Sequence, residues 1–285
     1  MTKPMSDSPR VSVVLTTFNR AEVLRSTLDT IVNQTLDDFE LIICDDASPD
    51  HTASVAEEFS AKDSRISYHR NARNLGMPGN LNEGIRRSTG VYVANLHDGD
   101  IYSPDLLEKW AAALDRNPGA AFVFNQYRAL NDDGTTMRVF REDLPPVLEG
   151  KRLLEDLFFR RWHFDSPVWG TVMARRSAYI EAGLFDPRFT FISDVDMWMR
   201  LAETHDVAYV AEPLISIAGR GAVPRQWIIP RDHLVLRRMF WEARMRHYRT
   251  RPARRLAEGF RHVSFVTALQ GYRLACKLNA VRKGI

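Results

Sequence analysis

Short unbroken apolar runs alternate with segments whose apolar residues recur every three or four positions through the first hundred residues. Val11-Ser12-Val13-Val14-Leu15 is the first run, and it breaks into the polar turn Thr16-Thr17-Phe18-Asn19-Arg20. Leu24, Leu28, Ile31 and Val32 then fall at helical spacing across residues 21–34. A second run, Phe39 to Cys44, ends in Asp45-Asp46-Ala47-Ser48. Unbroken apolar runs joined by amphipathic helices predict buried parallel strands with helical crossovers. Open sheets of this kind bind ligands in the crevice beyond the carboxyl ends of their strands. The hydroxyls and amide of residues 16–20 and the carboxylates at 45 and 46 are therefore candidate site groups.

The pattern repeats downstream. A helix is predicted over 52–61 with Val55, Ala56 and Phe59 inward, and a short strand over 66–70. Residues 70–85 are polar and glycine-rich at their start, predicting a loop that runs into a helix ending near Gly90. Gly76 and Gly79 permit positive φ or close backbone approach to a ligand. The strand Val91 to Leu96 ends in His97-Asp98-Gly99-Asp100, followed by a helix start with Ser103 as N-cap and Pro104 in the first turn. Two carboxylates about a glycine on such a turn suit a hard divalent cation, which takes oxygen ligands and commonly bridges carboxylates and a diphosphate. Further elements are a helix over 106–116, a strand over 120–128, a hairpin turn at Asn131–Gly134 and a helix over 151–159. The acids of that hairpin turn are read as turn formers.

Composition changes this picture little, but charge distribution adds to it. The chain has 285 residues, 45% apolar and 26% charged, enough for one large domain or one with an appendage. Its two cysteines, Cys44 and Cys276, form no disulfide or zinc pattern, as expected in a reducing compartment. Residues 1–10 form a loose leader with no apolar stretch resembling a signal peptide, and no run reaches membrane-span length. The net charge of +3 divides unevenly: residues 231–285 carry 14 basic and 3 acidic residues, leaving 25 basic and 33 acidic in the rest. Arginines interleaved with aromatics in this tail suit either a helical cap on the main domain or an anionic membrane surface. No nucleic-acid motif is present.

The ordered set of motifs resembles glycosyltransferase family 2, the inverting GT-A enzymes, over roughly residues 11 to 215. Its carriers are Val11–Arg20, Asp45-Asp46-Ala47-Ser48, the Asn74-Leu75-Gly76 and Gly79-Asn80-Leu81-Asn82-Glu83-Gly84 pattern, the His97–Asp100 turn, Leu184-Phe185-Asp186 and Ser193-Asp194-Val195-Asp196. The resemblance implies a Rossmann-like, mostly parallel sheet flanked by helices over 11–225, with a basic helical extension over 226–285. It implies nucleotide contacts from Thr16, Asn19, Arg20, Asp46, Asn74, Gly76, Asn80 and Asp98. It implies Mn²⁺ or Mg²⁺ held at Asp98 and Asp100, and Asp194 as general base. Asp46 accepting from the N3–H of uracil or thymine favours a UDP- or dTDP-sugar donor.

Departures from the family pattern are visible. Anchored on Ile101-Tyr102, the family's acids fall at 97, 99 and 100, where this chain has His97, Gly99 and Asp100 and places an extra acid at Asp98. Ser193 replaces the glutamate before the base, and residues 215–223 hold no histidine, though Arg220 and Arg225 could meet a diphosphate. Trp169 and Asp196 are acceptor candidates, each with an ordinary packing or helix-start role as the alternative. The expected function is sugar transfer to a glycan or glycolipid hydroxyl in surface polysaccharide assembly, in the cytoplasm or on the inner face of the plasma membrane. The alternatives are a degenerate GT-A scaffold that binds without turnover, and a nucleotidyltransferase, whose Gly-rich phosphate loop is missing here.

Overall fold

The structure is a computed structural model, and it describes residues 8–159, 168, 170–217, 230–249, 252, 255 and 256. Strand β1 (Val11–Thr17) leads through α1 (Ala21–Val32) to β2 (Phe39–Asp45), then through α2 (Thr52–Lys62) to β3 (Ile66–Arg70). Helix α3 (Gly76–Arg87) returns the chain to β4 (Tyr92–His97). These elements fall where the periodicity places them, with ends shifted by at most three residues. Strands β2 and β4 both pair with β1 in parallel, and β3 pairs with β2 in parallel.

After β4 come β5 (Asp100–Tyr102), α4 (Leu106–Arg116), β6 (Ala120–Leu130), β7 (Thr136–Phe140) and β8 (Val147–Leu148). Helix α5 (Gly150–Arg152) continues as wider π-helical turns over Leu153–Phe158. Then follow β9 (Val172–Arg175), α6 (Arg176–Glu181), a 3-10 turn (Pro187–Ile192), α7 (Ser193–Ala202) and β10 (Asp206–Ile217). The sheet has ten strands in the order β3-β2-β1-β4-β9-β6-β10-β5, with β7 on β6 and β8 on β10. Several short or irregular strands escape the periodicity, β5, β8, β9 and β10 among them. β5 is three residues that pair antiparallel with the end of β10, β9 is four residues, and β10 carries Pro213 at a register irregularity. None is long or regular enough to show an alternation of its own.

One core lies on the α1 and α4 side of the sheet: Val13 and Leu15 of β1, Ile43 of β2 and Leu96 of β4 meet Leu24, Leu28 and Ile31 of α1. The opposite face receives α3, whose Gly84 lies against Val14 and Cys44. Burial pushes the Cys44 thiol up to about 12, so it stays protonated and acts as a small apolar group. Around Trp198 of α7, Phe122 stands at 5.3 Å and Phe185 edge-on at 5.8 Å between ring centroids, which seats α7 on the sheet.

The chain divides into two compact units, Met1–Trp227 and Ile228–Ile285. Described parts of the second include α8 (Pro230–His247), in which Met239 and Ala243 are buried at i, i+4 spacing. Among the described residues no helix is long and apolar enough to cross a membrane.

A methyl at Gly84 would lie 2.2 Å from Val14 Cγ1 and 3.0 Å from Cys44 Sγ. Gly84→Ala is expected to cost about 1–3 kcal/mol through overpacking, read as a lower urea midpoint with unchanged slope.

Candidate active site

The strand order reverses at β1, which has β2 on one side and β4 on the other. Thr16 is therefore in register with Cys44 on β2 and with His97 on β4, and the carboxyl ends of three strands open on one crevice. Each strand leaves through a left-handed residue: Asn19 (φ 56°), Ala47 (φ 63°) and Gly99 (φ 82°). Ala47 bears a Cβ there, a strain of about 1–3 kcal/mol that the surrounding contacts must hold. Asn19 N–H donates to Ser48 Oγ at 2.9 Å, and Ala21 N–H donates to Asp50 Oδ2 at 3.1 Å. The two turns are thus tied together. Thr16 is partly exposed and Phe18, Asn19 and Arg20 are exposed at this edge. Phe18, 46% exposed, presents an aromatic ring beside the predicted nucleotide residues. Its apolar side chain within a polar turn was the sequence signal for it.

The paired acids divide their work. Asp45 accepts from Ser48 N–H at 2.8 Å and from Tyr68 OH at 2.7 Å, and lies 3.5 Å from Arg70 Nε. It is a buried turn-former. Asp46 Oδ1 accepts from Leu75 N–H at 2.7 Å and Asn71 Nδ2 at 3.0 Å, while Oδ2 accepts from Gly76 N–H at 2.9 Å. The carboxylate thereby closes the positive amino end of α3 from across the crevice. Asn80 is held in the same network, accepting from Asn71 and donating to Cys44 O at 2.7 Å, so its amide serves the scaffold. Asn74 Oδ1 accepts from Gly76 N–H at 3.0 Å. Asn71 joins the network and carries no sequence signal beyond its place in a polar loop.

At the third strand end, Arg20 Nε stands 3.6 Å from Asp98 Oδ1, and its guanidinium covers Gly99, where a Cβ would meet Nη2 at 2.4 Å. Buried Thr27 pins this turn: Gly99 N–H donates to its Oγ1 at 2.9 Å, and that hydroxyl donates to Asp100 O at 2.9 Å. Asp98 keeps an exposed edge while Asp100 is wholly enclosed. Both carboxylates are buried, Asp98 at 9% and Asp100 at 0% exposure. No group of three His, Cys, Asp or Glu side chains gathers among the described residues. One carboxylate with diphosphate oxygens and waters is nonetheless a sufficient donor set for Mg²⁺ or Mn²⁺, and Asp98 fits it.

Asp194 sits in the first turn of α7, its Oδ1 accepting from Val195 N–H at 2.8 Å. Its surface is not fully lost to solvent, yet protein atoms crowd round it, and this desolvation raises its pKa to about 6 against the pull of that hydrogen bond. Its Oδ2 lies against Gly170, where a Cβ would stand 2.9 Å from it and 2.7 Å from His97 Cε1. Residues 24 to 97 apart in sequence thus converge. Asp196, an acceptor candidate, is buried and ion-paired with Arg200 Nε at 2.8 Å. Arg200 Nη2 also donates to Leu184 O at 2.7 Å, so Asp196 acts through Arg200 on the turn before α7. Trp169, Arg220 and Arg225 lie outside the described residues.

A switch-point crevice with carboxylates at its strand ends and an acid at a helix start fits the GT-A class. Residues 12–183 match the family described as Glycosyl transferase family 2. The putative glycosyltransferase EpsE of Bacillus subtilis is 31% identical over 70% of this chain and 69% of its own length. The GalNAc(5)-diNAcBac-PP-undecaprenol beta-1,3-glucosyltransferase of Campylobacter jejuni is 37% identical over 41% of this chain and 37% of its own. The crystal structure of S. aureus TarS 1-349 in complex with UDP-GlcNAc superposes with TM-score 0.67 at 16% identity, covering 83% of this chain and 66% of that one. The chain spans about two thirds of the length of several full relatives. It belongs to glycosyl transferase family 2, and it is a glycosyltransferase by that kinship.

The raised pKa of Asp194 has a stability consequence. Between the ordinary carboxylate value of about 4 and about 6 the folded chain holds a proton that the unfolded chain has released. The stability this group contributes is full at lower pH and is lost as pH rises through about 6. Asp194→Asn should therefore raise Tm relative to the parent at pH 8 and leave the two nearly equal at pH 4. Equal Tm differences at both pH values would show an unshifted carboxyl.

Proposed function

We propose that this protein transfers a sugar, with inversion, from a nucleoside-diphosphate sugar to a hydroxyl of a glycan or lipid-linked acceptor in surface polysaccharide assembly. The observation that carries the reading is Asp194. It is an acid held near pKa 6 on the wall of the crevice into which the β1, β2 and β4 ends open. A base poised close to neutral pH is suited to take a hydroxyl proton. TarS with UDP-GlcNAc and the undecaprenol-linked acceptor of the Campylobacter relative support the donor and acceptor classes.

The nucleotide lies along the carboxyl edge, its base toward Thr16, Phe18 and Asp46. Asp46 Oδ2 takes one backbone donor among the described residues, and a carboxylate oxygen accepts two. The N3–H of uracil or thymine completes it, which favours UDP or dTDP donors. The diphosphate lies beside Arg20 and Asp98. Asp98 with diphosphate oxygens would hold Mn²⁺ or Mg²⁺, which when bound offsets negative charge on the leaving group.

Asp194 Oδ2 takes the proton of the acceptor hydroxyl as that oxygen bonds to the anomeric carbon. The bond from that carbon to the diphosphate oxygen breaks, and the nucleoside diphosphate leaves with the electron pair. Attack from the face opposite the leaving group inverts the centre.

Nucleotide release from UDP-GlcNAc, UDP-glucose, dTDP-glucose and GDP-mannose, with undecaprenyl-diphosphate GlcNAc as acceptor, tests this. Turnover with a UDP- or dTDP-sugar and a product of inverted anomeric configuration is expected; retention would refute the single-displacement step. Asp194→Asn should lower kcat about 10²–10⁴-fold while UDP still raises Tm. A fully active variant removes Asp194 as the base. With chemistry limiting, kcat/KM should fall as pH drops below about 6.

The basic tail, with Arg244, Arg246 and His247 closing α8, is suited to an anionic membrane surface. Co-sedimentation with phosphatidylglycerol vesicles, weakened by salt, is the expected result. Equal sedimentation with neutral phosphatidylcholine vesicles would argue against the charge.

A further inference from the structure

His97 has no assigned work in the reading above, yet three independent features fix it beside the proposed base. First, its backbone is clamped at both ends by one buried phenol. His97 N–H donates to Tyr102 Oη at 2.8 Å, and that hydroxyl donates to His97 O at 2.8 Å. Second, Asn95, on the same face of β4, donates from Nδ2 to Gly170 O at 2.8 Å, with both residues buried. The strand that carries the imidazole thus also fixes the floor beneath it. Third, from the place a Cβ would take on Gly170, His97 Cε1 lies at 2.7 Å, His97 Nε2 at 3.5 Å and Asp194 Oδ2 at 2.9 Å. The ring edge and the carboxylate oxygen both rest on the one residue whose side chain is a hydrogen.

We propose that His97 is a positioning residue for transfer. Its imidazole and the Asp194 carboxylate form the two walls of the seat for the attacking hydroxyl, with Gly170 as floor. The proposal rests on the reading of Asp194 as base. Asp194 Oδ1 is held by the Val195 N–H, which leaves Oδ2, the oxygen against Gly170, to receive the proton. A hydroxyl that gives its proton to Oδ2 needs a second contact to aim its lone pair at the anomeric carbon. A ring nitrogen at this place supplies that contact by hydrogen bonding to the same oxygen. Orientation of this kind acts on kcat and leaves donor affinity alone. No proton is lost or gained by His97 in the step. A Cβ at Gly170 would press on both walls and push them apart.

The test uses the full chain and the donor that turns over in the panel above, with release of nucleotide measured both to undecaprenyl-diphosphate GlcNAc and to water. His97→Ala is expected to lower kcat at least 30-fold with an unchanged donor KM and an unchanged Tm rise on adding UDP with Mn²⁺. His97→Gln, which keeps a hydrogen-bonding tip, should recover at least a third of the parent rate. Gly170→Ala should lose turnover as His97→Ala does. A fully active His97→Ala overturns the proposal, and so does a loss confined to donor KM or to the Mn²⁺ requirement, which would make the ring part of the donor or metal seat. Inactive Asp194→Asn beside active His97→Ala defeats this proposal alone, whereas active Asp194→Asn defeats the base assignment beneath it. A measurement free of turnover is the stability cycle between positions 97 and 170. Gly170→Ala should lower Tm in the parent and lower it less in the His97→Ala background. Equal losses would show that the ring does not rest on Gly170, and the seat would not exist.

Discussion

Everything at this site depends on β1 being hydrogen-bonded in parallel on both sides. A strand with parallel neighbours left and right sends three carboxyl ends in the same direction, and the crossovers diverge to opposite sides of it. The crevice between those crossovers is where Thr16, Asp46 and His97–Asp98 arrive together. The same pairing buries the apolar halves of the strands, so polar residues appear only where the strands stop. Position and chemistry of the crevice are therefore two results of one backbone arrangement.

Much of the polar inventory there supports the crevice instead of facing a ligand. Asp45, Asn71, Asn80 and Thr27 spend their hydrogen bonds on turns and helix ends, as buried polar groups must. Asp46 does both kinds of work: it closes the amino end of α3 and keeps capacity on one oxygen. In the proposed reading, donor recognition and the seating of α3 are coupled through that one carboxylate. Asn82 joins α3 to the later half in the same manner, exchanging hydrogen bonds of 2.8 and 2.9 Å with the backbone of Phe185. Asp194, on α7, is thereby placed relative to the carboxyl edge of the sheet by buried amides and packed rings.

Glycines set the closest approaches. Gly84 lets α3 lie flush on β1 and β2, Gly99 leaves room for the Arg20 guanidinium, and Gly170 lets His97 and Asp194 share a floor. Each is required by a neighbour, not by a turn alone, except that Gly99 also needs its positive φ. A side chain at any of them would move a helix, a charge or the Asp194 carboxylate.

The sequence by itself determined the α/β class, the elements from β1 to β4 and helix α4 to within a few positions, and the strand-end placement of Thr16, Asp46 and Asp98. Those features follow from local periodicity and from where apolar runs stop, and both are written within ten or so neighbouring residues. Only the tertiary structure decided that β9 lies antiparallel beside β4, bringing Gly170 to His97 and both to Asp194. It alone buried Asp100 completely and turned Asp196 onto Arg200. It also resolved β5, β9 and β10, whose shortness or proline leaves no alternation to read. The physical reason is one of range. Periodicity reports which face of an element is buried, whereas side chains distant in sequence meet only through strand order and the packing of whole elements.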